Sequence, residues 1–273
     1  MFSFNIFTGH ITHPEKKLMN SFLLSLNPNL TPGYLILFFT VALLLGMSKA
    51  GLSGFGLAAV PVMAMIFGAK ESTGVILPML IAADIMAVTY YHRSAVWKHI
   101  LKILPWVAVG ITIALITGKM INDNQFRMVL LSVVWIMLIL MILNDLRKKK
   151  ESDVPHHPLF GFSMGLAGGF ATMIGNSAGP IFNLYFLSMK LPKKEFIGTS
   201  AWLYLIMNTG KMPLQILVWK NISFDYLILG IISIPVIALG IFVGIRVVKL
   251  FSESFYRYFV IATTLITSVL LFL

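Results

Sequence analysis

The sequence contains no cysteine, few acidic residues and little charge overall. Only 10 of its 273 residues are Asp or Glu, and charged residues make up 11% of the chain. The absence of cysteine excludes disulfides, a thiol nucleophile and cysteine-ligated metal sites. Because 58% of the residues are hydrophobic, a soluble fold could not cover so much apolar surface. The composition therefore predicts an all-α polytopic membrane protein embedded in a lipid bilayer.

The shortage of acidic residues leaves a formal net charge of +11. In a soluble protein this charge would suggest a nucleic-acid partner. Here the basic residues lie in short gaps between apolar runs, where membrane topology requires them, so no nucleic acid is expected as a partner. About 10 membrane segments are predicted, at 33–48, 52–68, 72–91, 100–118, 127–144, 158–174, 177–189, 196–218, 225–248 and 255–273.

One pattern of residues occurs twice along the chain. The matched residues follow the same order in both halves, while the distance in sequence between partners drifts from 119 residues (46 to 165) to 130 (127 to 257). Each half crosses the membrane an odd number of times, so the second half is inverted, as is typical of secondary transporters. The matched pairs include Gly46 with Gly165, Gly56 with Gly175, Ala59 with Ala178, Pro61 with Pro180, Gly74 with Gly198, Trp97 with Trp219, Pro105 with Pro235, Gly110 with Gly240 and Arg127 with Arg257.

The distribution of charge predicts how the parts of the chain lie relative to the membrane. We assign residues 1–32 to an extracytoplasmic tail, 33–145 to repeat 1, 146–157 to a cytoplasmic linker and 158–273 to repeat 2. The apolar stretch in the tail is too short for a signal peptide. Basic residues gather on the face that carries the linker, and positive loops stay in the cytoplasm. Both termini are therefore predicted to be extracytoplasmic.

Two glycine-rich stretches, 46–56 and 165–179, interrupt the short first two segments of each half. Dense glycine breaks helices and exposes backbone groups, which hydrocarbon tolerates only where they are packed in protein or line a wet cavity. Such segments form thin spanning helices or re-entrant hairpins, and the N-terminus of an interrupted helix can bind an anion. The alternative is close helix packing through small residues. The candidate substrate-binding residues in these stretches are Ser48, Gly51, Ser53, Gly54, Asn176 and Ser177.

Two lysines lie within apolar segments, away from other charges. Lys49 lies in the first glycine-rich stretch, and Lys211 follows Asn208 in a second helix-breaking sequence. An isolated charge in the membrane is costly and usually marks a transport pathway. The alternative is a lysine that snorkels to the interface. We predict that Lys49, Lys211 and Asn208 contribute to a substrate site.

Asp84 stands alone near the middle of the third segment, and its counterpart in the second half is Asn208. A buried carboxylate can take up a proton, because burial disfavours its charged form. Asp84 is therefore a candidate for proton coupling. It is equally a candidate for a fixed counter-ion to Lys49 or Lys211.

Motifs in both halves carry a resemblance to a known family. They are Gly46-x-Ser48-Lys49-x-Gly51, Leu77-Pro78, Asp84 and Trp97-Lys98, then Gly175-Asn176-x-x-Gly179-Pro180, Lys194-Glu195-x-x-Gly198 and Asn208-x-x-Lys211-x-Pro213. With these motifs the chain from about residue 33 to 273 resembles the TauE/SafE family of sulfite and sulfonate exporters, also called TSUP. Ser53, where another glycine was expected, departs from the family pattern.

The resemblance implies a carrier in the bacterial inner membrane for sulfite or an organosulfonate such as sulfoacetate. Buried lysines, helix N-termini and hydroxyl donors suit a small anion with several acceptor oxygens. A carboxylate would satisfy the same groups, so the preference for sulfonate follows from the resemblance alone. The sequence leaves the oligomeric state open, with a homodimer as one candidate.

We predict a secondary transporter that moves a small anion by alternating access, with export favoured by a negative cytoplasm. The sequence has no Walker-type nucleotide-binding loop, so transport is expected to use the electrochemical gradient and no cofactor. The alternatives are a carrier of small carboxylates and an anion channel. An enzyme is not predicted, because clustered carboxylates or His–carboxylate pairs do not occur at membrane depth.

Overall fold

The computed structural model describes residues 32–52, 55–122 and 158–252, together with 124–125, 128–129, 132, 254–256, 258–259 and 262. The described chain is helical. A 3₁₀ turn, His92–Ser94, follows the third helix, and a π-helical turn, Gln215–Trp219, follows the seventh. The α-helices are α1 Pro32–Lys49, α2 Phe55–Phe67, α3 Ala69–Tyr91, α4 Trp97–Met120, α5 Pro158–Gly175, α6 Gly179–Ser188, α7 Lys193–Leu214 and α8 Phe224–Lys249.

These helices lie at eight of the ten predicted apolar segments. The two remaining segments, 127–144 and 255–273, lie almost wholly outside the described residues. The predicted tail, apart from Pro32, and the predicted linker 146–157 also lie outside them. The fold is therefore described for the parts of both halves that surround the glycine-rich stretches.

Helix length separates spanning segments from shorter ones. Lys70–Ser94, Trp97–Met120 and Phe224–Lys249 are long and apolar enough to cross a membrane. In contrast, α2 has 13 residues and α6 has 10. At a rise of 1.5 Å per residue these two helices extend about 20 Å and about 15 Å, against a hydrocarbon core about 30 Å thick. Neither α2 nor α6 can cross the bilayer alone.

The distribution of apolar and polar side chains is the reverse of that in a soluble protein. Large apolar side chains on α4 and α8 are exposed, such as Ile116 (58%), Ile231 (64%) and Leu239 (55%). Charged and amide side chains are buried, including Asp84 and Lys211 at 0% exposed. Because exposed apolar surface of this extent is stable only against hydrocarbon, the helices form a membrane protein.

Glycines let particular helices approach to backbone contact. A side chain on Gly46 of α1 would collide with the backbone of Ile237 on α8, and one on Gly240 would collide with the backbone of Leu43. Similarly, a side chain on Gly110 of α4 would collide with the backbone of Leu166 on α5. These glycines therefore serve close helix packing.

We expect Gly46→Ala to lower the stability of the protein by about 1–3 kcal/mol, because its methyl group has no space beside α8. The measurement is the midpoint of thermal unfolding in detergent micelles. Gly210→Ala is the matched control: it also lies within a helix, but an added Cβ would meet no atom within 4 Å. This control should be neutral or gain up to about 1 kcal/mol from higher helix propensity. Equal stability of the two variants would contradict the close packing.

Candidate functional site

The break between α1 and α2 exposes backbone carbonyl groups that tyrosines satisfy. Gly51 has φ +119°, a conformation that glycine adopts without strain. The hydroxyl of Tyr91 donates to the Ala50 carbonyl at 3.3 Å, and that of Tyr256 donates to the Gly51 carbonyl at 3.0 Å. These long-range hydrogen bonds hold the first glycine-rich stretch open as a loop and keep it from continuing as helix.

The break between α5 and α6 turns at Asn176, whose φ is +54°. Asparagine accepts this left-handed conformation more readily than most residues. The Asn176 amide donates to the Thr73 carbonyl of α3 at 3.2 Å. Ser177, the next residue, is fully buried and donates to the Ala171 carbonyl at 3.2 Å. The turn therefore places the Asn176 side chain against α3, while the Ser177 hydroxyl bonds back to the last turns of α5.

An ion pair lies at the centre of the helices. The Lys49 Nζ is 2.8 Å from Asp84 Oδ1, and the Asn208 amide donates to Asp84 Oδ2 at 2.6 Å. Asp84 is 0% exposed and the Lys49 side chain 10%. The Lys49 ammonium also lies 4.0 Å from the centre of the Tyr204 ring, in cation–π contact. Residues from α1, α3 and α7 thus meet at one carboxylate.

The second lysine binds three neutral oxygens. Lys211 Nζ donates to the Thr172 carbonyl and hydroxyl, both at 2.9 Å, and to Asn176 Oδ1 at 2.7 Å. Three acceptors match the three donors of an ammonium group. Lys211 is 0% exposed, so it does not snorkel to the interface. The structure shows no carboxylate paired with Lys211 among the residues it describes.

A cavity of about 60 Å³ adjoins these groups. Both helix breaks contribute to it, and the first turns of α7 form one wall. Its volume has room for a few water molecules or for a small anion. The lining residues are Leu45, Ser48, Lys49, Gly51, Gly56, Leu80, Asn176, Gly179, Asn183, Phe196, Ile197, Ser200, Ala201, Tyr204 and Tyr256.

The formal charges of the site do not cancel. With both lysines protonated and Asp84 ionised, Lys49 and Lys211 contribute two positive charges and Asp84 one negative charge, so the site carries one net positive charge. In a protein interior such a charge acts strongly, because water does not screen it as in solution. The site is therefore suited to attract one negative charge.

The structure brings most of the predicted site residues together. Asp84 pairs with Lys49, one of the two partners considered for it, and contacts its sequence counterpart Asn208. Ser177 does not line the cavity. Ser53 and Gly54 lie outside the described residues. The predicted residues that line the cavity are Ser48, Lys49, Gly51 and Asn176, and those that lie behind it in the hydrogen-bond network are Asp84, Asn208 and Lys211.

Sequence reasoning missed Tyr204, which lines the cavity and contacts Lys49. The available signal was its position four residues before Asn208 and seven before Lys211, on the same face of α7. Ser200 and Asn183 were also missed. Neither has a spacing or neighbour in the sequence that distinguishes it from a packing residue.

These features define an integral membrane protein with a charged site and a small cavity enclosed by broken helices. The family described as sulfite exporter TauE/SafE matches residues 38–271. The chain therefore belongs to the sulfite exporter TauE/SafE family, a family of membrane transporters. Comparison with curated proteins and with solved structures gives no match.

We expect the ion pair to show strong energetic coupling. Removing one charge of a buried pair costs about 3–5 kcal/mol, because the other charge is left uncompensated. Lys49→Met and Asp84→Asn should each destabilise the protein by several kcal/mol, and the double variant by clearly less than their sum. The free energy of unfolding in detergent checks this, with the exposed Lys119→Met as control within about 0.5 kcal/mol of wild type. Additive losses would contradict direct pairing.

Proposed function

We propose that the protein is a secondary transporter that exports a small anion, sulfite or an organosulfonate, by alternating access. The observation that carries this proposal is the cavity beside two cations and one carboxylate. Lys211 is buried without a carboxylate partner among the described residues. Its burial is costly unless a negative charge enters nearby during function.

Two inverted repeats account for the way the halves meet. Asp84 and Asn208, matched positions in the sequence, are hydrogen-bonded to one another. Residues related by a two-fold axis contact each other when they lie close to that axis. The glycine contacts agree with this symmetry: Gly46 packs against Gly240 of the other half, and their counterparts Gly165 and Gly110 lie in the other close helix pair. This pairing supports the symmetry of two inverted repeats. For these repeats we propose about 10 membrane segments, with the short α2 and α6 in re-entrant hairpins.

The single net positive charge favours a substrate that bears one negative charge, such as hydrogen sulfite or a simple sulfonate. The choice of a sulfur oxyanion over a carboxylate follows from the family. Lysine ammonium groups, amide groups and hydroxyl groups would bind either kind of anion. Measurements of ligand binding therefore decide between a carrier of sulfur oxyanions and a carrier of carboxylates.

The cavity lies along the first turns of α7, where Phe196 and Ile197 line it. The positive-inside rule assigns this end of α7, with Lys193 and Lys194, to the cytoplasm. We infer that the structure presents the site to the cytoplasm of a bacterial cell. Export of a monovalent anion is then driven by the membrane potential, which contributes about 2.3 kcal/mol per charge per 100 mV.

Asp84 provides a route to proton coupling. In this structure its carboxylate is paired with the Lys49 ammonium group. A proton on Asp84 would remove its charge and leave Lys49 free to bind an anion. The groups that face Asp84 are Lys49 from α1 and Asn208, Lys211 and Tyr204 from α7. Asp84 therefore acts either as a proton carrier or as a permanent counter-ion.

We expect sulfite to raise the thermal unfolding midpoint of the purified protein. Ligand bound only to the folded state contributes about 2.7 kcal/mol at 100 times its Kd. Lys49→Met and Lys211→Met should abolish most of this shift, whereas Lys119→Met should retain it. The same measurement with sulfate, thiosulfate, sulfoacetate, taurine, lactate and succinate defines the substrate class. Wild-type shifts in both site variants would remove these lysines from the binding site.

We expect Asp84→Asn to flatten the pH dependence of transport. If Asp84 carries the proton, wild-type flux increases as pH falls, because protonation frees Lys49 for the anion. The Asn variant imitates the protonated carboxyl group, so its flux should stay at the acidic level. Proteoliposome flux of an organosulfonate checks this, since its own charge does not change near neutral pH. An unchanged pH profile would leave Asp84 as a fixed counter-ion, and flux that never saturates with concentration would favour a channel.

A further inference from the structure

Gln215 is a buried amide that the site described above does not use. It is 0% exposed, and neither its Nε2 nor its Oε1 has a hydrogen-bond partner among the described residues. An unsatisfied buried polar group costs about 1–3 kcal/mol, and each such group in a native protein calls for an explanation. A leucine would occupy the same volume at lower cost.

The position of Gln215 extends the polar face of α7. Tyr204, Asn208, Lys211 and Gln215 are spaced by four, three and four residues, which places them on one helix face. From Tyr204 at the cavity to Gln215 this face rises about 16 Å, at 1.5 Å per residue. Gln215 also begins the π-helical turn Gln215–Trp219. π-Helical turns occur frequently at functional sites.

A second unsatisfied amide lies in the segment that follows this turn. Asn221 is 2% exposed, and its Oδ1 has no partner among the described residues. Its Nδ2 donates to the Lys70 carbonyl at 3.1 Å and to the Thr73 hydroxyl at 2.9 Å. The Thr73 carbonyl in turn accepts from Asn176, which binds Lys211. Polar groups therefore continue from Lys211 to Asn221, toward the end of α7 away from the cavity.

We propose that Gln215 is a second anion-binding position, on the exit side of Lys211. Its amide NH₂ group donates hydrogen bonds to the anion after the anion passes Lys211, and the Asn221 segment forms the wall of the exit path. In the present conformation the path is closed, and the amide is left without a partner. This proposal rests on the proposed transport function and adds a specific residue to it.

The two ends of the polar face then have different roles. The cavity end, with Lys49 and Tyr204, sets the affinity for the anion in the present conformation. The Gln215 end acts only during passage. A change at Gln215 should therefore affect the rate of transport and leave binding at the cavity intact, a separation that a purely structural role would not produce.

The test compares wild type, Gln215→Leu and Gln215→Glu in two measurements. The first is the Kd for sulfite from thermal-shift titration in detergent, and the second is sulfite flux in proteoliposomes. Ser233→Ala is the control for loss of a buried polar group. Ser233 is 0% exposed, and its hydroxyl donates within its own helix, to the Gly230 carbonyl. We expect Gln215→Leu to keep the Kd within about threefold of wild type. Gln215→Glu places a carboxylate one helical turn from Lys211 and should weaken both binding and flux.

Flux should fall about tenfold in Gln215→Leu, because leucine cannot donate a hydrogen bond to the charged anion. In Gln215→Glu flux should fall at least as far, because the carboxylate repels the anion. Gln215→Leu should unfold at or above the wild-type temperature, since it removes an unsatisfied group. Wild-type flux in either variant would overturn the proposal, as would a parallel loss of binding and flux in Gln215→Leu. If wild type neither binds nor transports sulfite or any other anion of the panel above, the transport function fails together with this role, an outcome distinct from failure of Gln215 alone.

Discussion

A lysine ammonium and an aspartate carboxylate 2.8 Å apart hold the centre of this protein together. Each charge alone would be costly among apolar helices, and the pair becomes acceptable because Asn208 satisfies the second carboxylate oxygen. The three groups come from α1, α3 and α7, so the interaction fixes the relative position of both halves. Lys49 ends α1 just before the first helix break, so the ion pair lies next to that break.

The glycines serve two different physical purposes. In the helices, Gly46, Gly110 and Gly240 bring backbones into contact and leave the exposed faces to hydrocarbon. At Gly51 the backbone adopts a conformation that other residues rarely take, and its carbonyl accepts a hydrogen bond from Tyr256. Close packing and helix breaking, which the sequence offered as alternatives, therefore occur at different positions of the same stretches.

Much of the helical architecture could be predicted from the sequence, because apolar run length and glycine density are local properties. The repeat pattern also matched Asp84 with Asn208, and the structure brings these two residues into contact. The partner of Asp84 could not be predicted, since the choice between Lys49 and Lys211 depends on how α1 and α7 are rotated in the packed bundle. The sequence also could not predict that the Ser177 side chain bonds to α5 and does not line the cavity. That orientation follows from the left-handed turn at Asn176, which composition does not reveal.

Asp84 and Asn208 are matched positions in the sequence of the two halves and form one hydrogen bond between unlike groups. If the proposed inverted repeats were separate, identical polypeptides related by a two-fold axis, this meeting point would hold two aspartates or two asparagines. Two aspartates at that distance could not both ionise, and two asparagines would leave Lys49 with no anion. Joining the halves in one polypeptide allows the two positions to differ, so that only one of them carries the acid.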